Sequence, residues 1–305
     1  MSESTVVGTD SRVEDATKFE TKLAVIGLGT MGRGMASSAL RAGIPLVVWN
    51  RDLEAARAFA DRGAELAPTA ADAVRDVDVV ITMVSDSEAI RSISLDLGML
   101  EALRTDAVWA QMSTIGIKAT EAMATLVAAR RTDVSFLDAP VSGSKVPAEQ
   151  GKLTIFASGP EEVRPKVDPI FAAIGQRTIW LGPVGAGSRM KLVNNTLLAF
   201  GAEGVANSLA LAHRLRLDTS RVLDAFEGGP LLSPWEAGKF RRIEAGDYSP
   251  EFPLRLALKD VGLALDEGGP ERFAVLAALA REWQQIVEDG FGDEDVTVVA
   301  RSLRA

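Results

Sequence analysis

A lysine and an asparagine in the second half of the chain have the spacing of a catalytic pair. Lys191 and Asn195 are four residues apart in a segment with helical periodicity, so they share one face of the predicted helix. A partly buried lysine near a helix N-terminus has a lowered pKa, and it can protonate a carbonyl oxygen. A lysine on a first helical turn is more often only a solvated charge. The spacing alone therefore leaves both interpretations open.

Two other segments carry candidates for substrate contact. Ser142 and Gly143 follow a predicted strand, and their hydroxyl and N–H groups suit a substrate carboxylate. Phe252 precedes a predicted helix that contains Lys259 and Asp260. Taken alone, the first segment is only a turn, and the second is a core aromatic followed by a surface ion pair.

The N-terminal segment predicts a dinucleotide site. The apolar run 22–26 leads into a glycine turn and a helical stretch, and a second apolar run follows at 46–49. Glycines at G-x-G-x-x-G spacing between a strand and a helix place a pyrophosphate at the helix N-terminus. We expect the first glycine to make the tight turn, the second to let the pyrophosphate approach, and the third to let the helix pack on the strand. The turn consists of Gly27, Leu28, Gly29, Thr30, Met31 and Gly32.

The residues after the second apolar run predict which cofactor binds. A site for NAD usually has Asp or Glu there to hold the ribose 2′-hydroxyl. This chain has Asn50 followed by Arg51, and a guanidinium suits a 2′-phosphate. These residues favour NADP(H). Asp52 argues the other way, so NAD(H) stays possible.

Composition excludes several classes of protein. The chain has 305 residues, enough for two domains, and no apolar run is long enough for a membrane helix. Its net charge of −9 argues against nucleic acid as a partner. The absence of cysteine excludes disulfides, thiolate metal ligands and a cysteine nucleophile, and it is consistent with a cytoplasmic protein. We expect no metal site. Residues 1–20 are polar and read as a disordered leader.

The order of elements predicts an α/β fold with two domains. Strands alternate with helices up to residue 183, which predicts a Rossmann-type, doubly wound, mostly parallel sheet over residues 21–183. Residues 184–305 show almost no strand pattern and predict an all-helical domain for substrate binding and dimerisation. A long interdomain helix from Met190 to about Leu215 joins the two. Small residues in that helix, such as Gly201 and Gly204, favour a homodimer or a larger homo-oligomer.

Taken in order, these motifs resemble the β-hydroxyacid dehydrogenase family. The resemblance runs from about Lys22 to about Glu288, and it is closest to the glyoxylate/succinic semialdehyde reductase and 3-hydroxyisobutyrate dehydrogenase branches. Six separated motifs carry it: Gly27 to Gly32, Trp49-Asn50-Arg51, Met112-Ser113-Thr114, Ala139 to Lys145, Gly187 to Asn195, and Phe252 with Lys259-Asp260.

The resemblance implies a role for each matching position. Lys191 would be the catalytic lysine and Asn195 would orient the substrate, whose carboxylate would be held by Ser142 and Gly143. The remaining matches lie beside the cofactor or close the cleft: Thr114 beside the nicotinamide, Lys259 on the cofactor side, and Phe252 with Asp260 in the helical domain. The end of a predicted strand, Met83, Val84 and Ser85, is also expected to contact the cofactor.

The sequence therefore predicts an NADPH-preferring oxidoreductase that transfers hydride between nicotinamide and a small carboxylate-bearing aldehyde or hydroxy acid. Imine reductases look similar through Arg51, but they usually lack a lysine at the place of Lys191. A catalytically silent oligomerisation scaffold would be expected to lose Lys191 or the glycines. A 6-phosphogluconate dehydrogenase proper would need a longer helical region. Gln111 and the apolar Leu256-Ala257-Leu258 depart from the glyoxylate reductase pattern.

Overall fold

A computed structural model describes residues 20–304, so all but the last residue of the predicted leader lies outside the described part of the chain. The first part of that structure is a parallel sheet with helices on both faces. Its strands are β1 (Leu23–Ile26), β2 (Leu46–Trp49), β3 (Glu65–Leu66), β4 (Val79–Thr82), β5 (Val108–Gln111) and β6 (Ser135–Asp138). Its helices are α1 (Thr30–Arg41), α2 (Glu54–Ala60), α3 (Ser87–Arg91), α4 (Met99–Ala102) and α5 (Ile117–Arg130). The predicted doubly wound sheet is confirmed.

Apolar side chains fill both faces of this sheet. Leu23 and Val25 lie in the core on one face, whereas Ala24 and Ile26 lie in the core on the other, and all four are fully buried. A strand that is covered on both faces reads as a continuous apolar run rather than an alternating one. This burial explains why β1 was readable from the sequence.

The strand order places a ligand edge between β1 and β4. The six strands are ordered β3-β2-β1-β4-β5-β6, and every neighbouring pair is parallel. The chain runs outward from β1 through β2 to β3 and then returns to the other side of β1. Ligands of such sheets bind at the carboxyl ends of the strands where the order reverses. The loops after β1, β4 and β5 meet at this edge.

The last strands of the sheet region form a separate, small mixed sheet. Strands β7 (Val141–Ser142), β8 (Leu153–Ala157) and β9 (Gly175–Trp180) are accompanied by α6 (Lys145–Gln150) and α7 (Arg164–Ile174). Strand β7 is antiparallel to β8, and β8 is parallel to β9. The chain leaves the main sheet at Pro140, which has no N–H for a ladder and whose carbonyl accepts from Phe156 instead.

The second part of the chain is helical. Its elements are α8 (Ala186–Arg214), α9 (Thr219–Phe226), α10 (Pro234–Ala245), α11 (Leu254–Gly268) and α12 (Ala274–Ile286), followed by a 3-10 segment over Val296–Arg304. The predicted long helix is confirmed, and it begins four residues earlier than expected, at Ala186. Val296, Val298, Val299 and Ala300 of the 3-10 segment are buried in the helical core.

The small residues of α8 pack within the chain. Ala202 and Ala206 are buried in the helical core, and a side chain at Gly201 would meet the carboxylate of Glu236 at 3.0 Å. Gly201, Ala202 and Ala206 therefore let α10 and the helical core approach α8. A Cβ at Gly204 would meet nothing within 4 Å. Gly204 is thus left open on the surface of α8, and the dimer stays a prediction.

Candidate active site

The glycines of the N-terminal turn differ in their surroundings. Gly27 has φ +96°, and a Cβ there would lie 2.4 Å from the carbonyl oxygen of Met83. A Cβ at Gly32 would lie 1.9 Å from the carbonyl oxygen of Gly27. A Cβ at Gly29 would meet nothing within 4 Å. Gly27 and Gly32 are thus required by close packing within the chain, and Gly29 presents bare backbone to open space.

The start of α1 fits an anionic group. Gly29 is the N-cap of this helix and supplies no side chain to cap it, and both Gly29 and Thr30 are exposed. The first N–H groups of a helix lack partners within the helix, and they carry the positive end of its dipole. The open glycine and the uncapped N-terminus together fit the pyrophosphate of a dinucleotide. Leu28 is buried beneath this turn, and Met31 is partly buried.

The amide of Asn50 fixes the glycine turn. Its Oδ1 accepts from the N–H of Leu28 at 3.0 Å, and its Nδ2 donates to the carbonyl oxygen of Asp52 at 2.9 Å. Asp52 Oδ1 accepts from the N–H of Glu54 at 3.1 Å. Arg51 between them is exposed at the end of β2. Asn50 therefore stabilises the glycine turn. The guanidinium of Arg51 is the positive charge exposed at the end of β2.

The end of β4 faces the glycine turn across the sheet edge. The carbonyl oxygen of Met83 and the side chain of Val84 are the atoms that a Cβ at Gly27 would meet. The N–H of Val84 donates to Ser113 Oγ at 2.8 Å, which ties the loop after β4 to the loop after β5. Ser85 is exposed. The structure thus brings these predicted cofactor residues to the same edge as the glycines.

Lys191 lies in the second turn of α8, against the small sheet. Its Nζ donates to the carbonyl oxygen of Val141 at 2.6 Å, and the side chain is partly buried. Burial lowers the pKa of Lys191, the negative charge of Asp260 raises it and the positive charge of Lys259 lowers it, and together these effects bring it from 10.5 to about 8. A lysine with this pKa can both donate and accept a proton near neutral pH.

A chain of polar contacts joins α8 to α11 and to the main sheet. The buried amide of Asn195 donates through Nδ2 to Asp260 Oδ2 at 2.5 Å. Asp260 Oδ1 lies 2.8 Å from Lys259 Nζ, and Lys259 also donates to the carbonyl oxygen of Thr114 at the end of β5. These contacts connect four of the predicted site residues across the two parts of the chain.

Asn194 is a site residue that the sequence analysis missed. Its Nδ2 donates to Asn195 Oδ1 at 2.8 Å, and its Oδ1 accepts from Ser142 Oγ at 2.8 Å. Asn194 is three residues after Lys191, a spacing that puts both on one helix face and that could have drawn attention to it. Gly143, beside Ser142, is exposed with φ +135°, and a side chain there would collide with Leu153.

Asp138 anchors the N-terminus of the helix that carries Lys191. Its fully buried carboxylate accepts from the N–H of Ser188 at 2.7 Å and from the Ser188 hydroxyl at 2.8 Å. Ser158 Oγ lies 3.2 Å from the same carboxylate and accepts from the N–H of Gly187 at 3.0 Å. Burial raises the pKa of the Asp138 carboxyl, and these hydrogen bonds oppose the rise. Strand β6 and helix α8 are therefore joined three residues before Lys191.

Phe252 contacts Asp295 and the helical core. Its ring is partly buried against the helical core, and its N–H donates to Asp295 Oδ2 at 3.0 Å. Asp295 is fully buried and pairs with Lys239 Nζ at 2.9 Å. Phe252 thus fixes the chain at the start of α11, two turns before Lys259.

The arrangement combines three chemical abilities. The start of α1 can bind a dinucleotide phosphate, Lys191 can exchange a proton near neutral pH, and the segment around Ser142 offers polar groups to a small anion. The helices of the described residues, 20–304, include none long and apolar enough to cross a membrane.

Two family models match nearly the whole described chain. Residues 22–182 match the NAD-binding domain of 6-phosphogluconate dehydrogenase. Residues 185–303 match the NAD-binding domain of NADP-dependent 3-hydroxyisobutyrate dehydrogenase.

Relatives of known name extend over the same length. The chain is 31% identical to glyoxylate/succinic semialdehyde reductase 1 of Arabidopsis thaliana over 92% of its own length and 97% of that protein. It is 32% identical to the NAD-dependent L-serine dehydrogenase of Pseudomonas aeruginosa over 92% of its length and 97% of that protein. The crystal structure of a 3-hydroxyisobutyrate dehydrogenase from Salmonella typhimurium superposes with a TM-score of 0.85 at 26% identity, covering 93% of this chain and all of that one.

Proposed function

The chain belongs to the β-hydroxyacid dehydrogenase family of NAD(P)-dependent oxidoreductases, and we propose that Lys191 is its general acid and base. The proposed reaction converts a small carboxylate-bearing aldehyde or keto acid into the hydroxy acid, and the reverse. One observation carries the proposal: the Nζ of Lys191 lies 2.6 Å from the carbonyl oxygen of Val141, next to Ser142, and burial lowers the pKa of this lysine to about 8.

The two parts of the chain divide the work. We assign residues 21–183 to the cofactor and residues 184–305 to the substrate and to dimerisation. When bound, the nicotinamide supplies the hydride for reduction or accepts it in oxidation. Lys191 donates a proton to the carbonyl oxygen in reduction and takes one from the hydroxyl in oxidation. The N–H groups beside Ser142 and Gly143 hold the substrate carboxylate, and Asn195, fixed by Asp260, orients the substrate.

The proposed preference for NADPH rests on the end of β2. Arg51 is exposed there and has a planar set of donors that suits a phosphate. Asp52 accepts from the N–H of Glu54, which gives its carboxylate a partner in its own turn. Asn50 is neutral, and its Oδ1 already accepts from the N–H of Leu28. Of these three residues, Asp52 alone has a negative charge that would repel a 2′-phosphate, and its carboxylate is exposed to solvent and already accepts one hydrogen bond.

An exposed apolar stripe supports a homodimer or a larger homo-oligomer. Five apolar residues of α8 are each more than a third exposed, and their successive spacings are three, four, three and eleven residues: Met190, Val193, Leu197, Phe200 and Leu211. Exposed apolar residues on one face of a helix whose opposite face is already buried are typical of an interface. The partner that this geometry fits is a second copy of the chain, packed along α8.

Initial rates against a panel of carbonyl substrates test the function. We would assay NADPH and NADH with glyoxylate, succinic semialdehyde, methylmalonate semialdehyde, tartronate semialdehyde and a cyclic imine. Turnover of one of the four acids with NADPH is expected. Lys191→Ala should lower kcat by about 10²- to 10⁴-fold with the cofactor dissociation constant unchanged, because only proton transfer is lost. Lys152→Ala, which removes an exposed lysine, is the matched control.

Three other results would contradict the proposal. Turnover of the imine alone would make the chain an imine reductase. NADPH binding without any turnover would favour a silent scaffold. Activity of Lys191→Ala within a few fold of the unmodified protein would remove Lys191 as the general acid.

A further inference from the structure

The side chain of Gln111 binds the backbone of the loop that follows β5. Gln111 is the last residue of this strand and is fully buried. Its Nε2 donates to the carbonyl oxygen of Ser113 at 2.9 Å, and its Oε1 accepts from the N–H of Ser113 at 2.6 Å. One side-chain amide thus satisfies both backbone polar groups of a buried residue.

The hydroxyl of Ser113 connects the same loop to β4. Its Oγ accepts from the N–H of Val84 at 2.8 Å and lies 3.3 Å from the carbonyl oxygen of Thr82, to which it donates. Ser113 is therefore fixed on its side chain by β4 and on its backbone by Gln111. The bonds from Gln111 are the ones that set the direction of its peptide groups.

Helix α11 contacts this loop at two points. Lys259 donates to the carbonyl oxygen of Thr114. A Cβ at Gly116 would lie 2.8 Å from Cδ2 of Leu263, so the helix packs closely there. Lys259 and Leu263 are four residues apart and share one face of α11. The loop after β5 is thus packed against this face of the helix.

The surroundings of Gln111 favour an uncharged side chain. A carboxylate has only acceptors, so it could accept from the N–H of Ser113 but would repel the carbonyl oxygen of the same residue. Asp138, the buried carboxyl of β6, is paired with Gln111 in the register of the sheet, and both side chains project to the same face. A second buried carboxylate beside Asp138 would add electrostatic repulsion. The amide meets both groups of Ser113 without a charge.

We propose that Gln111 is a positioning residue of the cofactor site, whose neutral amide fixes the backbone of Ser113 and thereby directs the carbonyl of Thr114 at Lys259. This inference rests on the proposed function, because it concerns the cofactor edge of the same site. The amide keeps the ammonium group of Lys259 at the end of β5. Without the amide the peptide group after Ser113 can rotate, and Lys259 loses this acceptor.

Cofactor binding tests the inference without requiring turnover. The full chain would be titrated by calorimetry with NADP⁺ and with NAD⁺. Gln111→Met keeps the size of the side chain and removes both hydrogen bonds, so it should raise the dissociation constant of the tighter dinucleotide about tenfold or more.

Thr82→Val is the matched control for a loss of buried hydrogen bonding. Thr82 is fully buried one strand away, and its hydroxyl accepts from Trp109 Nε1 at 2.9 Å rather than from the loop. This variant should destabilise the sheet in urea, because it leaves Trp109 Nε1 unpaired, but it should keep the dissociation constant within about twofold. Equal weakening of the cofactor by Thr82→Val and Gln111→Met would overturn the inference.

A glutamate tests whether the amide must be neutral, and it also serves if Gln111→Met does not fold. Gln111→Glu can make both hydrogen bonds only while its carboxyl is protonated. Burial and Asp138 should raise its pKa above the usual value of about 4.3, whereas the ion pair of Lys259 with Asp260 on α11 has no net charge and Thr82 on β4 is uncharged. The dissociation constant, divided by that of the unmodified protein at the same pH, should fall toward one as the pH is lowered from about 8.5 to about 5.5. A ratio that stays constant over this range would overturn the inference.

A double-mutant cycle tests whether Gln111 acts through Lys259. Lys259→Met removes the donor to the carbonyl of Thr114, so the direction of that carbonyl no longer matters. Gln111→Met should then change the dissociation constant less than about threefold in the Lys259→Met background. An equal effect of Gln111→Met in both backgrounds would show that Gln111 acts on another part of the site, which would refute the inference.

The outcomes also separate this inference from the proposed function. The expected dissociation constants without turnover of any substrate would refute the proposed reaction and retain the role of Gln111. Turnover by the unmodified protein, with equal dissociation constants for it and for Gln111→Met, would refute the inference and retain the reaction. Binding of neither dinucleotide by the unmodified protein would overturn the inference outright.

Discussion

The pKa of Lys191 should appear directly in the pH dependence of the enzyme. In oxidation the lysine must be neutral to take a proton, so kcat/KM for the hydroxy acid should rise with pH and level off above about 8. In reduction it must be charged, so kcat/KM for the carbonyl substrate should fall above the same pH. The two directions therefore share one ionisation with opposite signs.

Burial determines how much of the base is available. With a pKa of 10.5, a fraction of about 0.03% of the lysine would be neutral at pH 7, whereas with a pKa of about 8 the fraction is about 9%. The environment of Lys191 thus raises the concentration of the neutral base about 300-fold at pH 7. Lys191→Arg, whose side chain stays charged, should remove this ionisation from the profile together with most of the activity.

Two neighbouring charges should move the ionisation in opposite directions. Lys259 lowers the pKa of Lys191, so Lys259→Met should shift the midpoint to higher pH. Asp260 raises the pKa of Lys191, so Asp260→Asn should shift the midpoint to lower pH, while its amide oxygen can still accept from Asn195. Initial rates from pH 6 to 10 in both directions give the midpoints. A midpoint that neither variant moves, or that both move the same way, would show that another group titrates.

Three further predictions concern the cofactor and stability. Arg51→Ala should weaken NADPH about 10- to 150-fold and NADH less than about threefold by fluorescence titration, and equal losses would remove the basis for the NADPH preference. Gly29→Ala should change the unfolding free energy by less than about 0.5 kcal/mol, but it should weaken cofactor binding about tenfold or more. Gly32→Ala should instead lower the unfolding free energy, measured in urea, by about 1–3 kcal/mol or more. Lys239→Met leaves Asp295 buried without its cation and should cost about 3–5 kcal/mol in urea unfolding, so an unchanged midpoint would contradict the pairing.

The elements with one dominant signal were predictable from sequence. Strand β1 is buried on both faces, so its apolar run at 22–26 marks it in the sequence, and the loss of strand pattern after residue 183 marks the helical second part. The small sheet was harder, because β7 has two residues and is defined by its antiparallel pairing with β8. Such pairing is a contact between segments more than ten residues apart, and no local pattern encodes it.

In the candidate site, too, residues with a local sequence pattern were found, and residues defined by contacts between distant segments were missed. Lys191 and the glycines were found because spacing and neighbouring elements carry their chemistry. Asn194 was missed because the motif drew attention to Asn195, and only the structure shows that Ser142 reaches the first of the two amides. Phe252 was expected to close the cleft; its ring is partly buried against the helical core, and its role in the cleft stays a prediction. The catalytic and cofactor roles stay predictions that the variants above test.

The burial of the 3-10 segment makes the order of synthesis important for this protein. The parallel sheet can form while the rest of the chain is still being made, because domains fold from the N-terminus as they emerge. The helical core lacks Val296, Val298 and Val299 until those residues leave the ribosome, and Lys239 lacks Asp295 for the same interval. Nascent chains that carry α8 to α12 therefore expose apolar faces that chaperones recognise. A premature stop before residue 295 would remove the central packing of the helical domain rather than trim its edge.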